Sequence, residues 1–176
     1  MNGESSENNN SADNGNINGM PVWEFIDSGY QTARYNMDYD LMLVERCKSL
    51  NKSYFRVYRW KPYAISLGYN QNKALNELTL NFNKCKTENI DIVQRPTGGR
   101  AVFHAEELTY SVVFKSNRPV RDLYRDISMA LLDGLKTLDP KLFELSFSKD
   151  TPDLFKLIKT GMYNLCFNSQ VKYEIN

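Results

Sequence analysis

Hydrophobic residues in the first third of the chain change from strand-like to helix-like spacing. Residues 21–26 carry apolar side chains at alternate positions, which predicts a first strand that ends at Asp27-Ser28-Gly29. Residues 32–49 instead carry apolar side chains every three or four positions, which predicts an amphipathic helix. The predicted buried face of this helix consists of Ala33, Met37, Leu41 and Val44.

The middle of the chain predicts a sheet. Four strands are predicted, at 54–60, 64–68, 90–94 and 108–114. They are marked by aromatic and β-branched residues or by alternation along the strand of residues that face opposite sides of a sheet. A turn at Lys61-Pro62 joins the first two of these strands, and residues 75–88 resemble a short polar helix.

The last third begins with the clearest helical pattern. Residues 121–138 carry a leucine-rich stripe that ends before Asp139-Pro140, and core burial explains such a stripe. A strand is predicted at 142–147, a helix start at Thr151-Pro152, and a strand at 171–175. Because a final strand without a partner leaves an unpaired edge, we expect the chain to be cut short.

Composition separates a tail from a folded part. Residues 1–20 contain seven Asn with Gly, Ser, Asp and Glu, and too few apolar residues to offset the entropy of ordering. We expect a disordered tail at 1–20 and one domain at 21–176.

Charge and cysteine content narrow the classes of function. The 22 Lys and Arg balance 21 Asp and Glu, which gives no reason to expect nucleic acid or a membrane surface as partner. Three cysteines without a CxxC pair argue against a disulfide framework and a zinc site. With no secretion signal and no membrane-spanning run, the expected location is the cytoplasm.

Residues 94–104 have the composition of a binding loop. Gly98 and Gly99 permit close approach of the backbone to a ligand, while Arg95 and Arg100 bring positive charge that suits a phosphate or carboxylate. The alternative is an ordinary strand-to-strand turn with solvated arginines. His104, the single histidine, closes the segment.

Several motifs together resemble one known superfamily. They are Trp23-Glu24-Phe25-Ile26-Asp27-Ser28-Gly29, Asn36-Met37-Asp38, Tyr58-Arg59-Trp60, Leu67-Gly68-Tyr69-Asn70-Gln71, Arg95-Pro96-Thr97-Gly98-Gly99-Arg100-Ala101-Val102-Phe103-His104, Glu107-Leu108-Thr109-Tyr110-Ser111-Val112 and Cys166-Phe167 with Tyr173-Glu174-Ile175. The chain resembles the biotin/lipoate protein ligase superfamily and, within it, the bacterial octanoyltransferases. Its residues 21–176 correspond to the N-terminal part of that catalytic domain.

The resemblance implies both a fold and an activity. The implied fold is α+β, with a mixed, largely antiparallel β-sheet packed with α-helices as in class II aminoacyl-tRNA synthetases, here incomplete at the C-terminus. The implied reaction is transfer of an octanoyl or lipoyl group from acyl carrier protein to a lysine of lipoyl domains. Those domains belong to 2-oxo-acid dehydrogenases or the glycine cleavage H protein, and no cofactor is required.

The resemblance also implies the site residues. Cys166 is the implied nucleophile, which suits a thiolate attacking an acyl thioester, whereas Cys47 and Cys85 are expected to be structural. The implied substrate-binding residues are Arg95, Thr97, Gly98, Gly99, Arg100, Ala101 and His104. No metal is expected.

Two departures from the family pattern keep other functions open. Gln94 stands where the family usually has an arginine, and no residue matches the family's lysine beyond the last strand. One alternative is a lipoate ligase that uses ATP and Mg²⁺. Another is a non-catalytic remnant that still binds a lipoyl group or its carrier domain.

Overall fold

The computed structural model describes residues 16–17, 20–74 and 80–147. Its strands are β1 Asn16–Ile17, β2 Met20–Pro21, β3 Trp23–Gln31, β4 Ser53–Trp60, β5 Ala64–Leu67, β6 Asp91–Gln94, β7 Val102–His104 and β8 Thr109–Val113. Its helices are α1 Ala33–Leu50, α2 Phe82–Thr87 and α3 Val120–Leu138, with 3-10 helices at Tyr69–Ala74 and Pro140–Glu144. The predicted mixture of sheets and helices is confirmed.

Two three-stranded sheets carry the fold within the described residues. In the first, of order β3-β4-β8, β4 runs parallel to β3 and antiparallel to β8. In the second, of order β6-β5-β7, β5 runs parallel to β6 and antiparallel to β7. The predicted strands 54–60 and 64–68 are therefore both present, but they belong to different sheets.

Helix α1 packs against both sheets. Thr32 caps its first turn by accepting a hydrogen bond from the Tyr35 backbone, and Asn51 ends it in the left-handed conformation. The buried residues are Ala33, Asn36, Met37, Leu43 and Cys47. The predicted face was right for Ala33 and Met37 but wrong for Leu41, which is exposed, because the buried stripe turns toward Leu43 and Cys47.

A charged group lies at the centre of this packing. The Arg56 side chain on β4 is fully buried and donates to the Asp40 carboxylate at 2.7 Å, to the Asn36 side chain at 2.7 Å and to the Ser28 hydroxyl at 2.9 Å. Its guanidinium also lies 4.0 Å from the centre of the Tyr58 ring. These contacts tie β3, α1 and β4 together.

Helix α3 differs most from the sequence prediction. Of its residues, Ser128 and Leu132 are buried, whereas Leu138 is 75% exposed. The leucine-rich stripe instead lines one wall of a cavity of about 670 Å³ against Trp23 and Phe55 of the first sheet. The expectation that core burial explains the stripe is therefore wrong for the described part of the chain.

Other boundaries also differ. Strand β3 continues past Asp27-Ser28-Gly29 through an irregularity between Asp27 and Tyr30. The strand predicted at 142–147 is wrong, because Pro140 starts a 3-10 helix that Asp139 caps. The features predicted beyond 147, within 75–79 and for most of the 1–20 tail lie outside the described residues. In the described part of the tail, Asn16–Ile17 pairs with Met20–Pro21 as an antiparallel strand.

Candidate active site

The glycine loop lies across the end of β5. It leaves β6 at Gln94 and enters β7 at Val102, and these two strands flank β5 without pairing to each other. The loop is therefore a crossover connection, and the reading as an ordinary turn between paired strands is wrong.

Gly68 makes the crossing possible. It follows β5 directly beneath the loop, where an added Cβ would lie 1.9 Å from the Gly99 carbonyl oxygen. The Tyr69 backbone N–H donates to the Thr97 carbonyl at 2.9 Å, and the Gln94 side chain donates to the Tyr69 carbonyl at 2.8 Å. Gln94, which departs from the family pattern, thus ties the start of the loop to the segment after β5.

The Arg95 guanidinium holds the loop together from inside. Its Nε and Nη2 atoms donate to the Gly98 carbonyl at 3.2 and 3.0 Å, and Nη2 also donates to the Arg100 carbonyl. Its Nη1 atom donates to the Ser66 carbonyl at 3.0 Å and to the Ser66 hydroxyl at 3.1 Å. Gly99 has a φ of +94°, and a Cβ there would lie 2.8 Å from Nη2 of Arg95.

His104 is buried between the two sheets. Its ring stacks on the Trp60 indole with centroids 3.9 Å apart. Its Nε2 atom lies 2.8 Å from the Ser66 hydroxyl, and its Nδ1 atom lies 2.6 Å from the Glu107 carboxylate. The expected binding-site histidine therefore belongs to a hydrogen-bonded network that includes Arg95.

Ser66 and Glu107 were absent from the residues predicted for the site. Glu107 lies three positions after His104, a spacing at which an acid can reach the ring, and Ser66 is a polar residue in an otherwise apolar strand before a glycine. Both signals were present in the sequence. The fold was needed to bring Ser66 to His104, 38 positions away.

The environment of Glu107 favours its ionised form. Partial burial raises the pKa of this carboxyl, but hydrogen bonds from His104 and Thr109 lower it more, so the pKa lies below its ordinary value of 4.5. A carboxyl whose pKa falls on folding stabilises the folded state above pH 4.5, and this stabilisation disappears as the pH falls through the lowered pKa.

We therefore predict a pH-dependent effect of Glu107→Gln. The variant should unfold more easily than the parent above about pH 5, and the difference should shrink as the pH falls below 4.5, because the parent carboxyl then becomes neutral too. Urea unfolding across this pH range measures the difference. Glu106→Gln, at an exposed neighbour, is the matched control. A difference that grows toward acid pH would contradict the assignment.

A second cavity, of about 580 Å³, runs from this network into an apolar region. One end is lined by Ser66, Arg95, Thr97 and His104. The walls follow α1 from Met37 to Val44 and β8 from Thr109 to Val113. From Thr109 to Val113 the strand advances about 14 Å. The walls are largely apolar, but Asp40 and Ser111, which are hydrogen-bonded to each other at 2.8 Å, also line them.

The structure brings only part of the predicted site to this cavity. Arg95, Thr97 and His104 line it, whereas Gly98, Gly99, Arg100 and Ala101 form the loop behind it. Cys166 lies outside the described residues. Cys47 and Cys85 are buried free thiols, as expected of structural cysteines.

Residues 16–17, 20–74 and 80–147 hold no cluster of three or more His, Cys, Asp or Glu side chains placed to bind a metal ion. No helix in the same ranges has both the length and the apolar character needed to cross a membrane.

The sequence of the chain matches the model of one known protein family. The model of the lipoyl protein ligase A/B catalytic domain matches residues 32–154, a span that includes α1, the glycine loop and α3. The chain belongs to this family.

Two curated relatives carry the name octanoyltransferase LipM. An octanoyltransferase LipM of Staphylococcus aureus is 33% identical over 161 residues, and the match covers 88% of this chain and 56% of the relative. An octanoyltransferase LipM of Geobacillus kaustophilus is 37% identical over 162 residues with the same two coverages. The chain thus spans little more than half the length of these relatives.

A solved structure supports the fold. The crystal structure of Plasmodium falciparum LipL1 in complex with lipoate matches with a TM-score of 0.56 and 18% sequence identity. The match covers 73% of this chain and 39% of that chain. At this identity the likeness concerns the fold, and it agrees with the ligase-like α+β architecture predicted from the motifs.

Proposed function

We propose that the chain carries the acyl-binding half of an octanoyltransferase that modifies a lysine of lipoyl carrier domains. The observation that carries this proposal is the 580 Å³ cavity, which joins the family's glycine loop to an apolar wall on α1 and β8. The relatives named octanoyltransferase LipM support the same acyl group and the same reaction.

The size of the cavity suits an eight-carbon chain. A fully extended polypeptide advances about 3.5 Å for every three bonds, so the seven bonds of an octanoyl chain extend about 8 Å. The cavity wall along β8, where Tyr110, Val112 and Val113 supply the apolar surface, is longer than this, about 14 Å. Each methylene removed from water there contributes about 0.8 kcal/mol. The acyl carbonyl would then lie at the polar end, near Thr97 and His104.

The proposed chemistry needs no nucleotide. The Cys166 thiol loses its proton, and the thiolate attacks the octanoyl thioester and forms a new thioester. The donor leaves as a thiolate and takes up the proton that Cys166 lost. The amine of the carrier lysine then attacks this acyl-enzyme, forms the amide and returns the sulfur as a thiolate, which takes up the proton that the amine loses. The proposed donor is octanoyl acyl carrier protein, and the acceptors are lipoyl domains of 2-oxo-acid dehydrogenases or the glycine cleavage H protein.

The proposed compartment is the cytoplasm. The two described thiols, Cys47 and Cys85, are free and buried, which suits a reducing environment.

An ATP-free acylation assay tests the function. A protein with this chain and the full length of its relatives, given octanoyl acyl carrier protein and a lipoyl domain, should add one octanoyl group to the domain. Mass spectrometry of the domain detects the product. Cys166→Ser should lower the rate at least about a hundredfold, whereas Cys47→Ser should leave acyl transfer intact if the protein folds.

The same assay distinguishes an octanoyltransferase from an ATP-dependent ligase. The family description includes ligases, and a ligase would use free octanoate or lipoate only when ATP is present. Acylation that requires ATP and survives Cys166→Ser would overturn the transferase proposal. Binding of octanoate without acylation under either condition would favour a non-catalytic binding protein.

Enlarging Val44 should shorten the accepted acyl chain. Val44 lines the apolar end of the cavity, so Val44→Phe removes space for about two methylenes and weakens octanoate binding by about tenfold. Butyrate should bind equally well to both proteins. Calorimetric titration of both acids measures the ratio, and Leu50→Phe, at an exposed position of the same helix, is the control. Equal losses for the two acids would contradict this placement.

A further inference from the structure

The residues at the two ends of the buried hydrogen-bond network around His104 determine which groups within it donate and which accept. At one end the Trp60 indole N–H, which can only donate, gives its proton to the Thr109 hydroxyl at 2.7 Å. The Thr109 hydroxyl in turn donates to the Glu107 carboxylate at 2.8 Å. Since an ionised carboxylate can only accept, Nδ1 of His104 must carry a proton to make its 2.6 Å bond to Glu107.

The other end is compatible with the same arrangement. The Arg95 guanidinium can only donate, and it donates to the Ser66 hydroxyl oxygen. The Ser66 hydroxyl also lies 2.8 Å from Nε2 of His104, so its own proton can be donated to a lone pair there. This contact matches a ring that carries its proton on Nδ1.

We propose that Glu107 is a positioning residue that holds His104 in the Nδ1–H tautomer and thereby orders the glycine loop. The coupling runs from the carboxylate through the ring to Ser66, and from Ser66 to the guanidinium that also binds the Gly98 and Arg100 carbonyls. Stacking on Trp60 keeps the ring in the plane that both hydrogen bonds need.

The order of Ser66, His104 and Glu107 resembles a nucleophile, base and acid, but the surroundings argue against that role. Ser66 is 1% exposed, and its oxygen already accepts from Arg95. The lone pair of Nε2 is occupied by Ser66. In the acyl transfer proposed above, on which this consequence rests, His104 orders the carbonyl end of the cavity and takes no proton from the substrate.

Nuclear magnetic resonance of the single histidine tests the tautomer directly. In the 176-residue chain labelled with ¹⁵N-histidine, long-range proton–nitrogen correlations should show a protonated Nδ1 and an unprotonated Nε2. Glu107→Ala should move the proton to Nε2, because Nδ1 has then lost its acceptor. Glu107→Gln should keep the parent tautomer, because its amide oxygen still accepts from Nδ1.

Hydrogen exchange tests the coupling to the loop. The Tyr69 and Arg95 amides, which donate to the Thr97 and Leu67 carbonyls at 2.9 Å and fix the loop to the end of β5, should exchange about tenfold faster or more in Glu107→Ala, and at the parent rate in Glu107→Gln. A proton on Nε2 in the parent protein, or an unchanged tautomer in Glu107→Ala, would overturn the positioning role. A changed tautomer with unchanged exchange would overturn the link to the loop. Neither experiment contains an acyl donor, so its outcome is independent of the octanoyl transfer assay.

Discussion

Asp40→Ala should lower the free energy of unfolding by about 3–5 kcal/mol. The Asp40 carboxylate is the charged partner of the fully buried Arg56 guanidinium, at 2.7 Å, and it also accepts from the Ser111 hydroxyl at 2.8 Å and the Tyr58 hydroxyl at 3.2 Å. Its removal leaves a positive charge in the interior without an ion-pair partner among residues 16–17, 20–74 and 80–147. Urea denaturation followed by circular dichroism measures the loss.

Asp38→Ala is the matched control for this prediction. Asp38 lies on the same helix and pairs with Arg34 at 2.6 Å, but both side chains are more than half exposed. Water screens such an exposed pair, so it contributes little to stability. Asp40→Asn, which keeps an acceptor of the same shape, should fall between the two. Equal stabilities of Asp40→Ala and Asp38→Ala would show that the Arg56 charge is not buried as described.

Gly68→Ala should destabilise the protein by about 1–3 kcal/mol or more and displace the glycine loop. The added methyl would meet the Gly99 carbonyl oxygen at 1.9 Å, and that neighbour is backbone, so no side-chain rotation can make room. Since the displaced loop lines the polar end of the cavity, octanoate binding should weaken as well. Denaturation and octanoate titration of the variant measure the two effects.

Gly98→Ala separates this contact from a general effect of losing a glycine. An added Cβ at Gly98 meets no atom within 4 Å, and its φ lies outside the left-handed region. A glycine replaced under these conditions changes stability by about 1 kcal/mol or less. If Gly68→Ala were as stable as Gly98→Ala, the close crossing over β5 would be wrong.

The spacing of apolar residues predicted individual strands and helices well, but it did not predict which of their surfaces pack against each other. The strand around Tyr54 to Trp60 and the helix capped by Thr32 are visible in the sequence because spacing and capping are local properties. The exposed position of Leu41 and the half-open stripe of α3 depend on which surfaces meet, and spacing alone does not contain that information. The effect of Pro140 is also local. The sequence interpretation took it to end the preceding helix, whereas it also starts a 3-10 helix.

The site shows the same division. Thr97 and His104, which the family motifs mark, both line the cavity, and their binding role stays a prediction. The sequence interpretation assigned Arg95 to an anion, whereas the structure uses its hydrogen bonds on loop carbonyls and Ser66. That difference arises because the loop crosses β5, and the order of strands in a sheet cannot be read from alternation within each strand.

The crossing over β5 leaves the loop with surplus length. Two strand spacings separate β6 from β7, a gap of about 10 Å, whereas the seven residues 95–101 could reach more than about 20 Å when extended. The guanidinium of Arg95 holds the extra residues in a compact loop, because it donates hydrogen bonds to the Gly98 and Arg100 carbonyls of the same segment. The compact shape of this connection therefore depends on the hydrogen bonds of one side chain, and not on the number of residues in it.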